Sequence, residues 1–208
     1  MLKKKSDDYK EESKEKFNKQ AEKFDSGIGG KHSRELYADV LHKLDQFSFN
    51  TLLDVGCGTG NLLSLISSKY EVQLSGVDIS KNMLEIAQDK LGEKADLRVG
   101  DSENLPFDDD TFDIVTCTDS FHHYPRPENV LKEMKRVLKP KGRLLIVDPY
   151  APTPFRQLVN IYMHFNKSGD VKIYSKTEIH KLLENTGFKD IEWEQVAGKN
   201  AFIVTAFK

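Results

Sequence analysis

Cysteine is almost missing from this chain. Only Cys57 and Cys117 occur in 208 residues, with no Cys-x-x-Cys pair and no Cys/His cluster. That excludes a disulfide framework and a structural zinc site, and leaves two thiols expected to stay reduced. Long apolar runs are also missing. None approaches the ~20 residues needed to cross a bilayer, so membrane insertion is not expected. The N-terminal stretch MLKKKSDDYKEESKEKF begins basic, like a secretory signal, but charge fills the place of the apolar core. Export is therefore not expected, and the cytoplasm is the anticipated compartment. An excess of one charge sign is lacking too. With 31 basic and 33 acidic residues the net charge is −2, which gives no global attraction to nucleic acid.

What is present suits a soluble α/β protein. A hydrophobic share of 38% and a charged share of 31% belong to one globular unit of this length. From residue 51 onward, short apolar runs alternate with helical patterns, the signature of strands joined by crossover helices in a parallel sheet. Strands are expected at Thr51 to Val55, Gln73 to Val77, Leu97 to Val99, Phe112 to Thr116 and Arg143 to Val147. Between them lie helices from Asn61 to Ser68, after the N-cap candidate Ser80, and after Pro127, the last ended by Pro140 and Gly142. A capping box, Ser175 to Glu178, opens a final helix that stops at Gly187. The strands Asp190 to Val196 and Ala201 to Phe207 are separated only by Ala-Gly-Lys-Asn. A parallel crossover needs about a dozen residues, so they must form an antiparallel hairpin. The expected fold is a Rossmann-like, mostly parallel seven-stranded sheet with helices on both faces and that hairpin at its C-terminal end.

Two segments stand outside the alternation. Residues 1–50 read as a helical segment preceding the main domain, 51–208, and residues 150–174 read as a cap inserted within it. The first 23 residues mix eight Lys with six acids, the pattern of a solvated helix or frayed tail, and residues 1–16 receive no role. In the cap, Tyr150, Phe155, Tyr162, Met163, Phe165 and Tyr174 can either wall an apolar pocket or pack as an ordinary cover.

The strongest signal is Leu52-Leu53-Asp54-Val55-Gly56-Cys57-Gly58-Thr59-Gly60-Asn61, an apolar strand running through three alternate glycines into a helix. Glycine is needed where the backbone turns sharply and a ligand approaches with no Cβ in the way. Asp78 ends the next strand twenty-two residues after Gly56, near the spacing at which an acid accepts hydrogen bonds from a ribose diol. Asp101, in Val99-Gly-Asp-Ser-Glu-Asn-Leu-Pro-Phe107, ends the third strand and can accept from an adenine amino group. A dinucleotide enzyme would share the glycines and Asp78. Against it, Asp54 would repel a pyrophosphate yet can orient an ammonium, Asn61 replaces the last glycine of G-x-G-x-x-G, and no Tyr-x-x-x-Lys pair is present. An NAD-dependent oxidoreductase is the poorer reading.

The motifs DVGCGTG, VDIS, GDSENLPF, FDIVTCTDSFHHY and LKEMKRVLKPKGRLLIVDP together resemble the class I S-adenosylmethionine-dependent methyltransferases, most closely the group with ubiquinone and menaquinone biosynthesis methyltransferases. The resemblance covers residues 51–149 and implies S-adenosylmethionine as cofactor, S-adenosylhomocysteine as product and a small-molecule acceptor. It further implies that Asp54, Gly56, Cys57 and Gly58 hold the methionine part and Asp78 the ribose. Ile79 and Met83 would pack the adenine, Asp101 and Ser102 would read its edge, and Thr118 and Asp119 would lie near the sulfonium. Family members often cover the cofactor with an apolar N-terminal segment. Phe17, Ala21 and Phe24 before Gly27-Ile-Gly-Gly30 can form such a flap, or simply anchor a packed helix.

Displacement at a sulfonium carbon needs alignment and dryness more than a nucleophilic side chain. A base is required only when the acceptor loses a proton. His122 is the candidate, beside His123, for a phenol, enol or amine; a loop-packing role is the other reading. The remaining histidines, at 32, 42, 164 and 180, offer no ligand spacing, so no metal is expected. A SAM-binding accessory protein without turnover remains the rival from another class.

Overall fold

Leu52, Leu53 and Val55 point alternately to opposite sides of β1 (Thr51–Val55) and all are fully buried. A strand apolar on both faces is stable only between two layers of helices, and that fixes the architecture. The computed structural model describes residues 6–165 and 169–208; residues 1–5 of the expected tail and 166–168 of the expected cap lie outside it. In chain order follow α1 (Ser6–Phe24), α2 (Ile28–Leu44), β1, α3 (Asn61–Lys69), β2 (Gln73–Asp78), α4 (Lys81–Leu91), β3 (Ala95–Val99), β4 (Phe112–Thr118), α5 (Pro127–Val137), β5 (Leu138–Pro149), α6 (Phe155–Phe165), α7 (Lys176–Asn185), β6 (Lys189–Gln195) and β7 (Ala201–Phe207).

The sheet order is β3-β2-β1-β4-β5-β7-β6. Strands β1 to β5 pair in parallel, and β7 pairs antiparallel with both β5 and β6. The expected hairpin therefore inserts its second strand between the first and the parallel part of the sheet. One face packs Leu53, Val55 and Val115 against Leu131 and Met134 of α5 and Ile179 of α7. The other packs Leu52 and Ile114 against Val40 of α2 and Leu63 and Ile66 of α3. Two-residue periodicity in the strands thus serves two cores at once.

Local signals read from the sequence hold where they are chemical. The Ser80 side chain accepts from Met83 N–H at the start of α4, Pro127 begins α5, and both arms of the Ser175/Glu178 capping box are formed. Boundaries moved where pairing outranked punctuation. Helix α5 stops at Val137, before Pro140, because Leu138 already pairs with Phe112 and is fully buried. Strand five consequently starts five residues before the expected Arg143. Residues 6–16 depart further from expectation. Within α1, Tyr9 and Ser13 are buried, and the helix packs along α4 through Asn18, whose side chain accepts from Ser80 Oγ at 2.7 Å. It is no frayed tail.

Helix α7 seats Ile179 and Leu183 in the core. Ser175→Ala should cost about 1 kcal/mol, the usual loss of an N-cap, read as a shifted urea midpoint.

Candidate active site

In open α/β sheets the ligand crevice opens at the carboxyl ends of the strands where their order reverses, here between β1 and β4. The glycine loop leaves β1 at that point. Gly56 sits at φ +78°, and a Cβ there would lie 2.1 Å from Ser120 Oγ. The N–H groups of Gly56 and Cys57 donate to Val77 O at 2.8 and 3.1 Å, tying the loop to β2. At Gly58, φ +53°, a Cβ would meet nothing within 4 Å, so the backbone is bare toward the crevice. Cys57 is buried, and burial pushes its thiol far up.

Carboxylates ring this loop. Asp78 accepts from Gly58 N–H on one oxygen and Ser80 N–H on the other, at 2.9 and 2.8 Å, which leaves each oxygen a further lone pair for a diol. Asp54 is 3% exposed, and its one side-chain donor is Thr116 Oγ, at 2.7 Å. Burial, with Asp78 nearby, raises its carboxyl to about 7, against the lowering effect of Thr116. Thr118 Oγ1 is buried with no hydrogen-bond partner among the described residues.

Two joined cavities follow this chemistry. One, of about 540 Å³, is lined by Asp78, Ile79, Asp101, Ser102, Tyr124 and Lys10, among others. The second, of about 480 Å³, is lined by Gly56, Cys57, Gly58, Met83, Thr118 and Asp119, among others. Phe17, Gly56, Asp78, Ser120 and His123 border both. Of the expected site residues, Asp54 lines neither cavity and His122 lies outside both, while Met83, 1% exposed, borders the second cavity and Ile79 the first. The bare glycine backbone, the free lone pairs of Asp78 and the unpartnered Thr118 hydroxyl suit an elongated nucleoside with a charged amino-acid end.

Several residues here carried no readable signal. Lys10 reaches from α1 to Asp101 Oδ2 at 2.6 Å and Glu103 Oε1 at 2.8 Å, so the segment given no role in fact occupies the polar edge of the first cavity. Asp25, between α1 and α2, accepts from Thr59 Oγ1 at 2.6 Å and Asn61 Nδ2 at 2.7 Å and pairs with Lys90 at 3.2 Å. Burial opposes its charge, but these contacts hold its carboxyl below the ordinary value. The end of α1 is thereby clamped to the glycine loop.

A third cleft adjoins Phe17, Phe24, Ile28, His32, Asp119 and His122. Asp119 holds φ +54°, a strained conformation of the kind that collects at functional sites. Its carboxylate accepts from Ser33 Oγ at 2.7 Å and His32 Nδ1 at 3.1 Å. Burial acts to raise it, yet the His32 bond and the His122 charge bring it down to about 2. His122 Nδ1 donates to the fully buried Asp148 at 2.9 Å. Burial disfavours its charged ring, but Asp148, Asp119 and Asp170 outweigh that and push it up to about 9. His123 goes the other way: burial and the neighbouring His122 keep it neutral. Its Nδ1 lies 3.2 Å from Gly169 O and 3.1 Å from Asp170. Folding thus gathers His122, His123 and Asp170 within ligand distance of one another, a grouping their spacing in sequence conceals, each already engaged with protein partners. The cap aromatics do not wall this cleft. Tyr174 is buried against Phe121, Tyr150 packs on Trp193, and Phe155, Tyr162 and Phe165 face outward.

The fold and the crevice define a nucleoside-dependent transferase of the class I type, and comparison with known proteins agrees. Residues 53–146 match the methyltransferase domain family. A demethylmenaquinone methyltransferase of Geobacillus is 30% identical over 206 residues, covering 86% of this chain and 87% of that one. The uncharacterized methyltransferase YcgJ of Bacillus subtilis is 43% identical over 105 residues, covering 49% of this chain and 41% of YcgJ; the chain thus spans about two fifths of that relative's length. A methyltransferase of Haloferax volcanii, solved in complex with the Trm112 activator, superposes with a TM-score of 0.77 at 20% identity, covering 92% and 96% of the two chains. The chain belongs to the class I S-adenosylmethionine-dependent methyltransferases.

Asp78→Ala removes the acceptor for the Gly58 and Ser80 N–H groups and the lone pairs open to a diol. At about 1.5–3 kcal/mol for a hydrogen bond to a charged group, S-adenosylhomocysteine affinity should fall roughly 10- to 100-fold by calorimetry. Asp54 has a stability consequence of definite sign. Its carboxyl titrates near 3.8 unfolded and about 7 folded, so between these values the folded chain keeps a proton the unfolded chain has lost. Stability should fall as pH rises from about 4 to about 7. In Asp54→Asn that component of the slope should vanish from the melting temperature plotted against pH.

Proposed function

We propose that this chain transfers the methyl group of S-adenosylmethionine to a small molecule carrying a phenol, enol or amine, in the cytoplasm. The carrying observation is the continuity of the two carboxylate-lined cavities with a third cleft that holds His122. A near-balanced net charge favours a small acceptor over nucleic acid.

Asp78 would take the ribose hydroxyls, while Ile79 and Ser102 would bound the adenine, with Asp101 available once Lys10 yields. The loop Gly56–Cys57–Gly58 and Asp54 would face the methionine ammonium, and Thr118 Oγ1 is free to donate to its carboxylate. When bound, the cofactor supplies a methyl group already activated by its sulfonium. Phe17, Phe24 and His123, in edge-to-face contact at 6.1 and 5.1 Å, keep water from the junction of the cavities. Holding the acceptor there can contribute on the order of 7 kcal/mol. His122 would take the acceptor's proton on Nε2, with Asp148 fixing the ring through Nδ1 and stabilising the imidazolium, as an orienting carboxylate does in other His-based sites. Pushed up to about 9, His122 would act as a base through its neutral form, whose share grows as pH rises. We also assign α1 the role of a flap over the cofactor, pivoting at its C-terminal end, where Asp25 is held by the glycine loop.

The test is a metabolite extract incubated with the protein and methyl-labelled S-adenosylmethionine, followed by mass spectrometry of labelled products. A labelled small molecule is expected. Binding of S-adenosylhomocysteine with no label transferred would instead mark an accessory protein, and nicotinamide dinucleotide binding in its place would mark an oxidoreductase. With the acceptor in hand, His122→Gln should lower kcat by about 10²- to 10⁴-fold and leave S-adenosylhomocysteine affinity unchanged. The parent rate should climb with pH toward about 9 as His122 loses its proton, and the variant should lose that limb.

A further inference from the structure

Helix α6 is built inside out. Phe155, Leu158, Ile161, Tyr162 and Phe165 fall within an arc of about 120° on a 3.6-residue helix, and all five are 59–65% exposed. The inward arc is the less apolar one. There Asn160 grips Ile173 through both its amide atoms, at 2.8 and 3.0 Å, beside the half-buried Val159 and Met163. A helix on a soluble surface normally turns its apolar stripe to the core. At roughly 200 Å² for each large side chain, the outward stripe amounts to about 600 Å², the upper end for a surface that nothing covers.

We propose that this face of α6 docks the protein on a lipid membrane surface. A second copy of the chain is a poorer occupant, because a stable dimer buries about 800 Å² per partner and the stripe alone falls short. Charge points the same way. The whole chain carries −2, yet residues 149–165 contain no Asp or Glu while holding Arg156 and His164, so anionic headgroups meet a segment free of acidic repulsion. Eleven residues make a helix about 16 Å long, able to lie in the interface with one row of side chains immersed. No described helix is long and apolar enough to cross a membrane, so attachment is by this face. Its position matters. Helix α6 begins six residues after Pro149, which lines the acceptor cleft, and His164 Nδ1 lies 3.2 Å from Tyr9 Oη on α1. Ile28, also lining the cleft, is 92% exposed. A docked protein would present the cleft to molecules dissolved in the lipid. That last step rests on the small-molecule reading above; the docking does not.

The experiment is co-sedimentation of the full chain with vesicles of equal parts phosphatidylcholine and phosphatidylglycerol, against the double variant Leu158→Asp/Ile161→Asp. Both positions are exposed, so an unchanged melting temperature and unchanged S-adenosylhomocysteine binding check the fold. The parent should pellet with the vesicles, and the variant's partition should drop by about tenfold or more. A parent that stays in the supernatant, or a variant that pellets equally, overturns the proposal. So does a lipid-free dimer that the double variant dissolves, since a second copy then covers the face. Because the readout needs no methyl transfer, its outcome and that of the labelling experiment are independent.

Discussion

Like charges crowd the carboxyl edge of this sheet, and the rest of the site is arranged around making them tolerable. Asp54 and Asp78 belong to adjacent paired strands, and neither faces a basic side chain. The solution is to spend backbone on them. Asp78 lies against the Gly58 N–H, brought over as the chain twists through left-handed glycine conformations just after β1, and against the Ser80 N–H just after its own strand. Asp54 has Thr116 as its side-chain donor among the described residues, and burial keeps it near the edge of ionisation. A positively charged ligand end would complete what the protein leaves undone, which is why the vacant lone pairs and the ligand's chemistry are one subject.

Around His122 the same economy recurs with histidines. Asp148 and Asp119 each hold an imidazole, His122 and His32 respectively, and the two carboxylates come from the ends of neighbouring strands. The pair His122/His123 shows how environment splits identical side chains: one ring rests on a buried carboxylate and keeps its proton, the other abuts that charge and gives its proton up. A roof of aromatic rings from α1 joins these two regions into one enclosure.

Much of this was readable in residues with local meaning. Leu52 to Asn61 announced the strand, the turn and the helix; Ser80, Pro127 and the Ser175/Glu178 pair announced helix starts; and the four-residue gap before Ala201 required the hairpin. Asp78 and Asp101 could be placed because each follows a legible strand. What could not be read depended on long-range encounters. Lys10 meets Asp101 across 91 positions, and nothing near Lys10 distinguishes it from seven other lysines in the first 23 residues. Asp25 clamps a loop 34 positions away. The aromatic residues of 150–174 were visible as a group, but whether such a stripe turns in or out is decided by what it packs against. Here Asn160 found Ile173, and the rings were left outside.

Phe17 borders all three cavities, and Asp25 pins the helix that carries it to the very loop that would grip the nucleoside. A roof fastened at that end can lift only by swinging at the other, where Lys10 rests. Any movement that opens the nucleoside's berth therefore also dismantles the wall of the neighbouring cleft.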